Sequence, residues 1–133
     1  MSEPTMIDGR QSWSFGDSPG LADELLALVL MGKKTATCGA LRDYIADGTP
    51  IPTVGRQDVV LDGAARPAAI IEYTEVTQRR FDDVPEDFAL AEGEGDYAQW
   101  RAGHIVYFER NGGWSPTLEL ICERIRVIKV LPR

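Results

Sequence analysis

The sequence is poor in the residues that build metal centres and disulfide frameworks. Among its 133 residues are two cysteines, Cys38 and Cys122, and one histidine, His104. Neither cysteine belongs to a CxxC pair, so a structural zinc site is not expected. Isolated cysteines are typical of buried thiols in a reducing compartment, and we therefore expect a cytoplasmic protein.

Long apolar runs are also missing. No run approaches the ~18 residues that a membrane-spanning helix needs. The first ten residues, MSEPTMIDGR, are polar and acidic, and they lack the basic start and the apolar stretch of a signal peptide. From these absences we expect no membrane partner.

Positive charge is the third shortage. The chain has 21 acidic and 14 basic side chains, which gives a net charge of -7. Binding to duplex DNA depends on neutralising many phosphates, so duplex DNA is not an expected partner. The net charge does not exclude a local pocket that binds one nucleotide or a short single strand of RNA. The sequence does not indicate an oligomeric state.

The residues that are present are sufficient for one folded domain. Hydrophobic residues make up 44% of the chain and charged residues 26%, which are ordinary values for a globular protein. A chain of this length can bury one core without metals or disulfides. We predict a flexible lead-in over residues 1–11 and a single domain over residues 12–133.

A strong helix signal begins at Ser18 and Pro19, a hydroxyl cap followed by a proline at the first helical position. Leucines then recur on one helical face, and Gly32 is placed to end the helix in the left-handed conformation. Directly after it the chain carries two amines and two hydroxyls, those of Lys33, Lys34, Thr35 and Thr37. This helix end is a candidate site, and a strand is predicted to follow it over residues 35–41.

The other strands are predicted from alternation and from β-branched residues. They cover residues 12–15, 59–61, 68–77 and 118–130, and the second and third of these form a hairpin. The alternation slips by one residue at Glu123 and Arg124, which predicts a bulge. Residues 42–57 are predicted to be a loop because prolines and glycines punctuate them.

Two more helices are predicted in the second half. Asp83 and Glu86 have capping-box spacing before a short helix that ends at Ala91, and Asp96 caps a longer helix. Aromatic residues and the histidine recur on one face of the longer helix, at Tyr97, Trp100, His104 and Phe108. With about five strands and three helices in mixed order, the predicted class is α+β, a small bent sheet or barrel flanked by helices.

The run GKKTAT at residues 32–37 resembles the signature of the ASCH domain, a relative of the PUA fold. Four other runs agree in order and spacing: SWSFGDSP at 12–19, AEGEGD at 91–96, WRAGH at 100–104 and CERIRV at 122–127. The resemblance covers roughly residues 12–130. It implies a PUA-like bent β-barrel of five to six strands with a cleft beside the first helix, and a role connected with RNA as a binding module, a ribonuclease or an N4-acetylcytidine amidohydrolase.

The resemblance also implies three catalytic residues. Lys34 matches the lysine of the amidohydrolase branch, Thr37 its nucleophilic threonine, and Glu94 its glutamate, with Glu92 two residues away as the alternative. A threonine hydroxyl needs a base, and a lysine can serve if its pKa is lowered. In a regular strand Lys34 and Thr37 would point to opposite faces, so they can act together only if Lys34 still belongs to the helix end.

Other polar residues are weaker candidates. Glu92, Glu94 and Asp96 alternate in a glycine-rich loop, a spacing that suits Mg²⁺ or Mn²⁺, but a solvated acidic loop with Asp96 as a helix cap is the commoner meaning. We therefore predict no cofactor, with a divalent metal as the alternative. His104 lies on an aromatic helix face and is predicted to be a core residue. The predicted substrate-binding residues are Lys33, Thr35, Arg42, Glu92, Trp100 and Ser115.

These observations support three functions. The first is a hydrolase acting on single-stranded RNA, in which Lys34, with Arg42, stabilises charge on a phosphate. The second is an N4-acetylcytidine amidohydrolase that uses Thr37, Lys34 and Glu94. The third is a non-catalytic module that binds RNA or a nucleoside in the same cleft. The chain is longer than the compact amidohydrolase type, and this favours the first.

Overall fold

Six strands and four helices make up the fold in the computed structural model, which describes residues 5–133. The strands are β1 (Thr5–Ile7), β2 (Arg10–Ser14), β3 (Ala36–Ala40), β4 (Gln57–Leu61), β5 (Pro67–Arg80) and β6 (Glu119–Val130). The helices are α1 (Pro19–Leu30), α2 (Leu41–Asp47), α3 (Glu86–Ala91) and α4 (Tyr97–Arg110), with a 3₁₀ turn at Phe81–Asp83. The predicted α+β class is confirmed.

The strands form one mixed sheet in the order β1-β2-β4-β5-β6-β3. Only β2 and β4 pair in parallel among the described strands, and the predicted hairpin of β4 and β5 is present. The long strands β5 and β6 pair with a register shift between Tyr73 and Glu75, which face Ile125 and Arg124. The irregularity predicted at Glu123 and Arg124 therefore lies next to this place in the ladder, but the extra residue is Thr74 of β5 and not a residue of β6.

Two groups of apolar side chains pack against this sheet. One lies under α3 and α4 and contains Phe81, Trp100 and Phe108. The other lies under α1 and contains Leu26 and Ile71. The edge strand β3 contributes Ala36 and Ala40 to the first group, and β6 contributes Leu120 to the first group and Ile125 to the second.

Helix α1 begins and ends where its sequence predicts. The Ser18 hydroxyl accepts a hydrogen bond from the backbone N–H of Leu21 at 3.2 Å, and Pro19 is the first helical residue. Gly32 has a φ of +77°. The backbone N–H groups of Lys33 and Lys34 both donate to the carbonyl of Leu28, at 2.9 and 3.1 Å. Lys34 is therefore held by the end of the helix rather than by β3.

Some predicted boundaries were wrong. Residues 5–7 and 10–11 of the predicted lead-in pair as β1 and β2, because Asp8 and Gly9 both adopt positive φ and close a hairpin. Residues 1–4 of that lead-in lie outside the described residues. The predicted loop over 42–57 begins with α2, since Gly48 takes the left-handed conformation as the cap of this helix. Asp83 does not cap α3, which starts after Pro85.

None of the helices found in residues 5–133 combines the length and the apolar character that crossing a bilayer requires.

Candidate active site

The side chain of Lys34 turns from the end of α1 into the protein, where the residue is only 2% exposed. Its ammonium donates to the Glu92 carboxylate at 3.2 Å, to the Glu94 carboxylate at 3.0 Å and to the Glu92 carbonyl at 3.3 Å. An ammonium has three N–H donors, so each has an acceptor here. The sequence left Glu92 and Glu94 as alternatives, and the structure brings both to Lys34.

Glu92 is the centre of this cluster. It is buried at the end of α3, and its second carboxylate oxygen accepts from the indole N–H of Trp100 at 2.7 Å. The His104 ring approaches the first oxygen at 3.5 Å, and its other nitrogen lies 2.8 Å from the Trp100 carbonyl. Burial by itself would raise the pKa of Glu92, but Lys34 and His104 hold this pKa low, at about 2.

The same contacts keep Lys34 charged. Burial by itself would lower the pKa of Lys34, but the carboxylates of Glu92 and Glu94 outweigh it and raise this pKa above its ordinary value. A protonated amine that donates three hydrogen bonds has no lone pair with which to accept a proton. In this arrangement Lys34 is a buried cation and not the base that the sequence predicted.

Lys34 and Thr37 open onto one cavity of about 230 Å³. Lys34 reaches the cavity from the helix end and Thr37 from β3, which meets the condition that strand geometry set. The same cavity is lined by Phe15, Leu21, Glu94, His104 and Tyr107. Its volume lies below the ~300–1,000 Å³ of pockets for drug-sized ligands, so it suits a group of about nucleobase size.

A second cavity, of about 290 Å³, adjoins the first, and Thr37 lines both. Polar groups converge on it, among them the buried residues Glu123 and Tyr73 and the half-buried Tyr44. The Tyr44 hydroxyl donates to the Glu123 carboxylate. Burial raises the pKa of Glu123 to about 7, although the Tyr44 hydrogen bond works in the opposite direction. A carboxyl with this pKa can exchange a proton near neutral pH.

The wall of this second cavity is held rigid by Asp58, which is fully buried. Arg56 makes two hydrogen bonds to the Asp58 carboxylate, at 2.8 and 3.1 Å. The indole N–H of Trp13 donates to it at 2.9 Å, and the Tyr73 hydroxyl donates at 2.7 Å. With these donors in place, Asp58 fixes the positions of Trp13 and Tyr73, which both line the cavity.

Four residues of this second cavity, Glu123, Tyr44, Tyr73 and Arg56, were not among the predicted site residues. Glu123 stands in the CERIRV run, but the run served only to support the resemblance. The alternation of apolar residues around Glu123 could have identified it as a site residue, since a charged residue at an inward position of a strand indicates either a bulge or a site. Tyr44 and Arg56 lie in the segment that was predicted to be a loop, so nothing indicated their direction.

Several predicted substrate-binding residues lie elsewhere. Trp100 is buried beneath His104 and stacks on Phe81, so it offers no face to a base. Arg42 donates to the carbonyls of Asn111 and Gly113 and supports the end of α4. The other three of these residues line neither cavity; Lys33 and Thr35 are exposed, and Ser115 lies in the loop after α4.

The acidic loop does not have the character of a metal site. Asp96 caps α4 through a capping box with Gln99, and the other two carboxylates hold the Lys34 ammonium. Ligand-type atoms of Cys38, Glu92 and His104 do lie within 4.8 Å of one another. The Lys34 ammonium lies 3.2 Å from the Glu92 carboxylate, however, and repels a second cation there. This donor set does not fit a divalent metal.

A close backbone approach at Gly93 holds the Lys34 cluster together. A Cβ atom at Gly93 would lie 2.4 Å from the carbonyl oxygen of Lys33, whereas one at Gly32 would meet open space. Both glycines have a left-handed backbone, with φ of +75° and +77°. The Thr35 N–H also donates to the Ala91 carbonyl at 2.8 Å. The end of α3 therefore packs directly on the turn that carries Lys34.

We expect Gly93→Ala to destabilise the protein more than Gly32→Ala does. The left-handed conformation costs either alanine about 1–2 kcal/mol. The clash with Lys33 adds about 1–3 kcal/mol at Gly93 only. Urea unfolding of the two variants measures this difference, and equal losses of stability would contradict the close approach.

The family of the chain follows from comparison with known proteins. A family model described as the ASCH domain matches residues 11–129. The chain belongs to the ASCH domain family. No curated protein matches it. The match to the family model confirms the predicted resemblance, and with it the PUA-like α+β fold of the ASCH domain.

Solved structures agree with this assignment. A crystal structure of a protein from Enterococcus faecalis V583 is 32% identical with a TM-score of 0.84, over 95% of this chain and 80% of that one. An ASCH domain from Lactobacillus crispatus JV V101 is 31% identical with a TM-score of 0.79, over 87% of this chain and 77% of that one. The ASCH protein of Zymomonas mobilis shares the fold at 15% identity and a TM-score of 0.53, over 81% and 66%.

Proposed function

We propose that this ASCH domain is an amidohydrolase that removes an acyl group from a modified nucleoside, with N4-acetylcytidine as the substrate type and Thr37 as the nucleophile. The observation that carries the proposal is the small cavity that Thr37 lines together with the Lys34–Glu94 ion pair. The substrate class comes from the family resemblance, and the choice within that class comes from the charges of the site.

Those charges favour a neutral substrate over a phosphodiester. The Lys34 ammonium is already opposed by two carboxylates at 3.0 and 3.2 Å. A phosphate brought to this position would meet Glu92 and Glu94 with little uncompensated positive charge to hold it. The uncharged amide of an acylated nucleobase meets no such repulsion. We therefore rank the amidohydrolase above the ribonuclease, which the length of the sequence favoured.

The proposed reaction begins when the Thr37 oxygen attacks the acetyl carbonyl carbon and its proton passes to a base. The negative charge on the carbonyl oxygen is stabilised by Lys34, which can turn one N–H from Glu94 toward the substrate. The Glu94 side chain is 26% exposed and can move, whereas Glu92 is fully enclosed. The bond to N4 then breaks, cytidine leaves with a proton on N4, and water releases acetate from Thr37.

We expect Thr37→Ala to lower kcat/KM for N4-acetylcytidine by about 100-fold or more, because no other hydroxyl occupies the position of the nucleophile. The assay follows cytidine release by chromatography. Thr74→Ala is the matched control, since Thr74 is an exposed strand threonine that lines neither cavity. Equal activity of the two variants would exclude Thr37 as the nucleophile.

The same protein is incubated with labelled single-stranded RNA, with and without EDTA. Under the proposal RNA stays intact while N4-acetylcytidine is consumed. Cleavage of RNA that is lost in Lys34→Met would reverse the ranking and favour the ribonuclease. If neither compound is turned over but the RNA is retarded on a gel, the domain is a binding module.

A further inference from the structure

Thr37 has a direct neighbour across the sheet, and this neighbour has no role in the reaction described above. In the antiparallel pair of β3 and β6, Thr37 stands opposite Glu123. Side chains of directly opposed residues lie on the same face, with Cβ atoms about 4.5–5.5 Å apart. Both residues line the second cavity, so the two side chains face the same opening.

We propose that Glu123 is the general base of this site, and that it takes the proton of the Thr37 hydroxyl during attack and returns it to the leaving amine. The proposal rests on the function proposed above and assigns the proton transfer that Lys34, as a cation, leaves open. It makes Glu123 a catalytic residue and limits Lys34 to stabilising charge.

The step balances without another reactant. The Thr37 oxygen forms a bond to the acyl carbon while its proton moves to a Glu123 carboxylate oxygen. When the bond between the acyl carbon and the nitrogen breaks, the electron pair stays on nitrogen, and Glu123 gives its proton to that nitrogen. In the second half a water molecule attacks the acetyl carbon and gives a proton to Glu123. The ester bond to Thr37 then breaks, Glu123 gives this proton to the Thr37 oxygen, and acetic acid leaves.

His104 is the other group that could act as a base, and its contacts count against it. One ring nitrogen lies 2.8 Å from the Trp100 carbonyl and the other 3.5 Å from Glu92. Burial by itself would lower the pKa of His104, but Glu92 raises it above its ordinary value. Both nitrogens therefore face acceptors, and the ring serves as a donor that supports Glu92.

The surroundings of Glu123 suit proton exchange near neutral pH. Tyr44 on α2 donates to its carboxylate, and Arg56 opposes its negative charge from the second cavity. Asp58 on β4 and Glu92 on α3 add repulsion, and the Tyr73 hydroxyl of β5 lines the same cavity but donates to Asp58. Asp47 lies at the opening. Burial outweighs the favourable contacts, so the pKa rises to about 7.

The experiment uses two acyl donors with wild type, Glu123→Gln and Tyr44→Phe. One donor is N4-acetylcytidine. The other is p-nitrophenyl acetate, whose leaving group needs no acid, with acetylation of Thr37 read by mass spectrometry. We expect Glu123→Gln to slow both reactions by about 100-fold or more. Circular dichroism confirms that the variant is folded, and Glu119→Gln, an exposed carboxyl on the same strand, is the control.

The pH profile separates a base from a structural residue. Wild-type acetylation of Thr37 should rise with pH around a midpoint of about 7. Tyr44→Phe removes a hydrogen bond that favours the charged carboxylate, so its midpoint should move to higher pH. A merely structural role for Tyr44 would change the rate and leave the midpoint in place, which would count against the proposal.

The two donors also distinguish the two proposals. Acetylation of Thr37 by the ester that depends on Glu123, without turnover of N4-acetylcytidine, would support Glu123 as the base and overturn the nucleoside substrate. Turnover of N4-acetylcytidine that Glu123→Gln leaves within twofold of wild type would do the reverse. If neither donor acetylates Thr37 of the wild-type protein, both proposals are overturned.

Discussion

Replacing Glu92 with alanine is expected to lower the free energy of unfolding by about 3–5 kcal/mol, the usual cost of removing one partner from a buried ion pair. The variant leaves the Lys34 ammonium inside the protein with Glu94 as its remaining carboxylate. It also leaves the indole N–H of Trp100 without the acceptor that it has at 2.7 Å. Urea unfolding at pH 7 measures the loss.

Two further variants divide this effect into its parts. Glu94→Ala removes the other carboxylate of Lys34, but its side chain is 26% exposed, so we expect a loss of about 1 kcal/mol or less. Glu92→Gln keeps an acceptor for Trp100 and removes the charge, so its effect should lie between the two. Equal losses for Glu92→Ala and Glu94→Ala would show that burial of the pair does not set its energy.

The second large effect is a pH-dependent stability that originates in Glu123. Its pKa in the folded protein is about 7 against an ordinary value of 4.5. A carboxyl with a raised pKa contributes stability that is present below its unfolded pKa and is lost as pH rises through its folded pKa. At about 1.4 kcal/mol for each pH unit, wild type should lose about 3 kcal/mol from this group between pH 4 and pH 8.

The measurement compares wild type with Glu123→Gln by urea unfolding across this pH range. Other titrating groups are shared and cancel, so the stability of wild type relative to the variant should fall by about 3 kcal/mol. Glu119→Gln is the control for the substitution itself, because this carboxylate lies on the same strand and its side chain is 42% exposed. A level difference for Glu123→Gln would mean that water reaches the carboxylate freely.

The parts of the site that could be predicted are those with a local signature. Gly32 ends α1 in the left-handed conformation, and the turn that follows keeps Lys34 at the helix end. Asp96 and Gln99 form the capping box of α4. Each depends on residues within about four positions of one another, so the pattern in the chain contains the whole interaction.

The site residues that the sequence predicted wrongly also have a physical explanation. The helical spacing of Trp100 places it on an apolar face, but spacing does not reveal that Glu92 accepts its N–H and that Phe81 covers its ring. Arg42 was a candidate for a phosphate until its guanidinium was found on the carbonyls after α4. A long polar side chain can satisfy its donors in many directions, and only the packed neighbours select one.

By itself the sequence determined the family, the α+β class, the limits of α1, the start of α4, and the pair Lys34 and Thr37 as the centre of interest. Tertiary structure alone decided the charge on Lys34 and the partner of Thr37. Two carboxylates that lie about sixty residues away in the chain keep the lysine protonated. The register of β3 against β6 sets Glu123 opposite the threonine. Proton affinity depends on burial and on nearby charges, and both exist only once distant segments have packed.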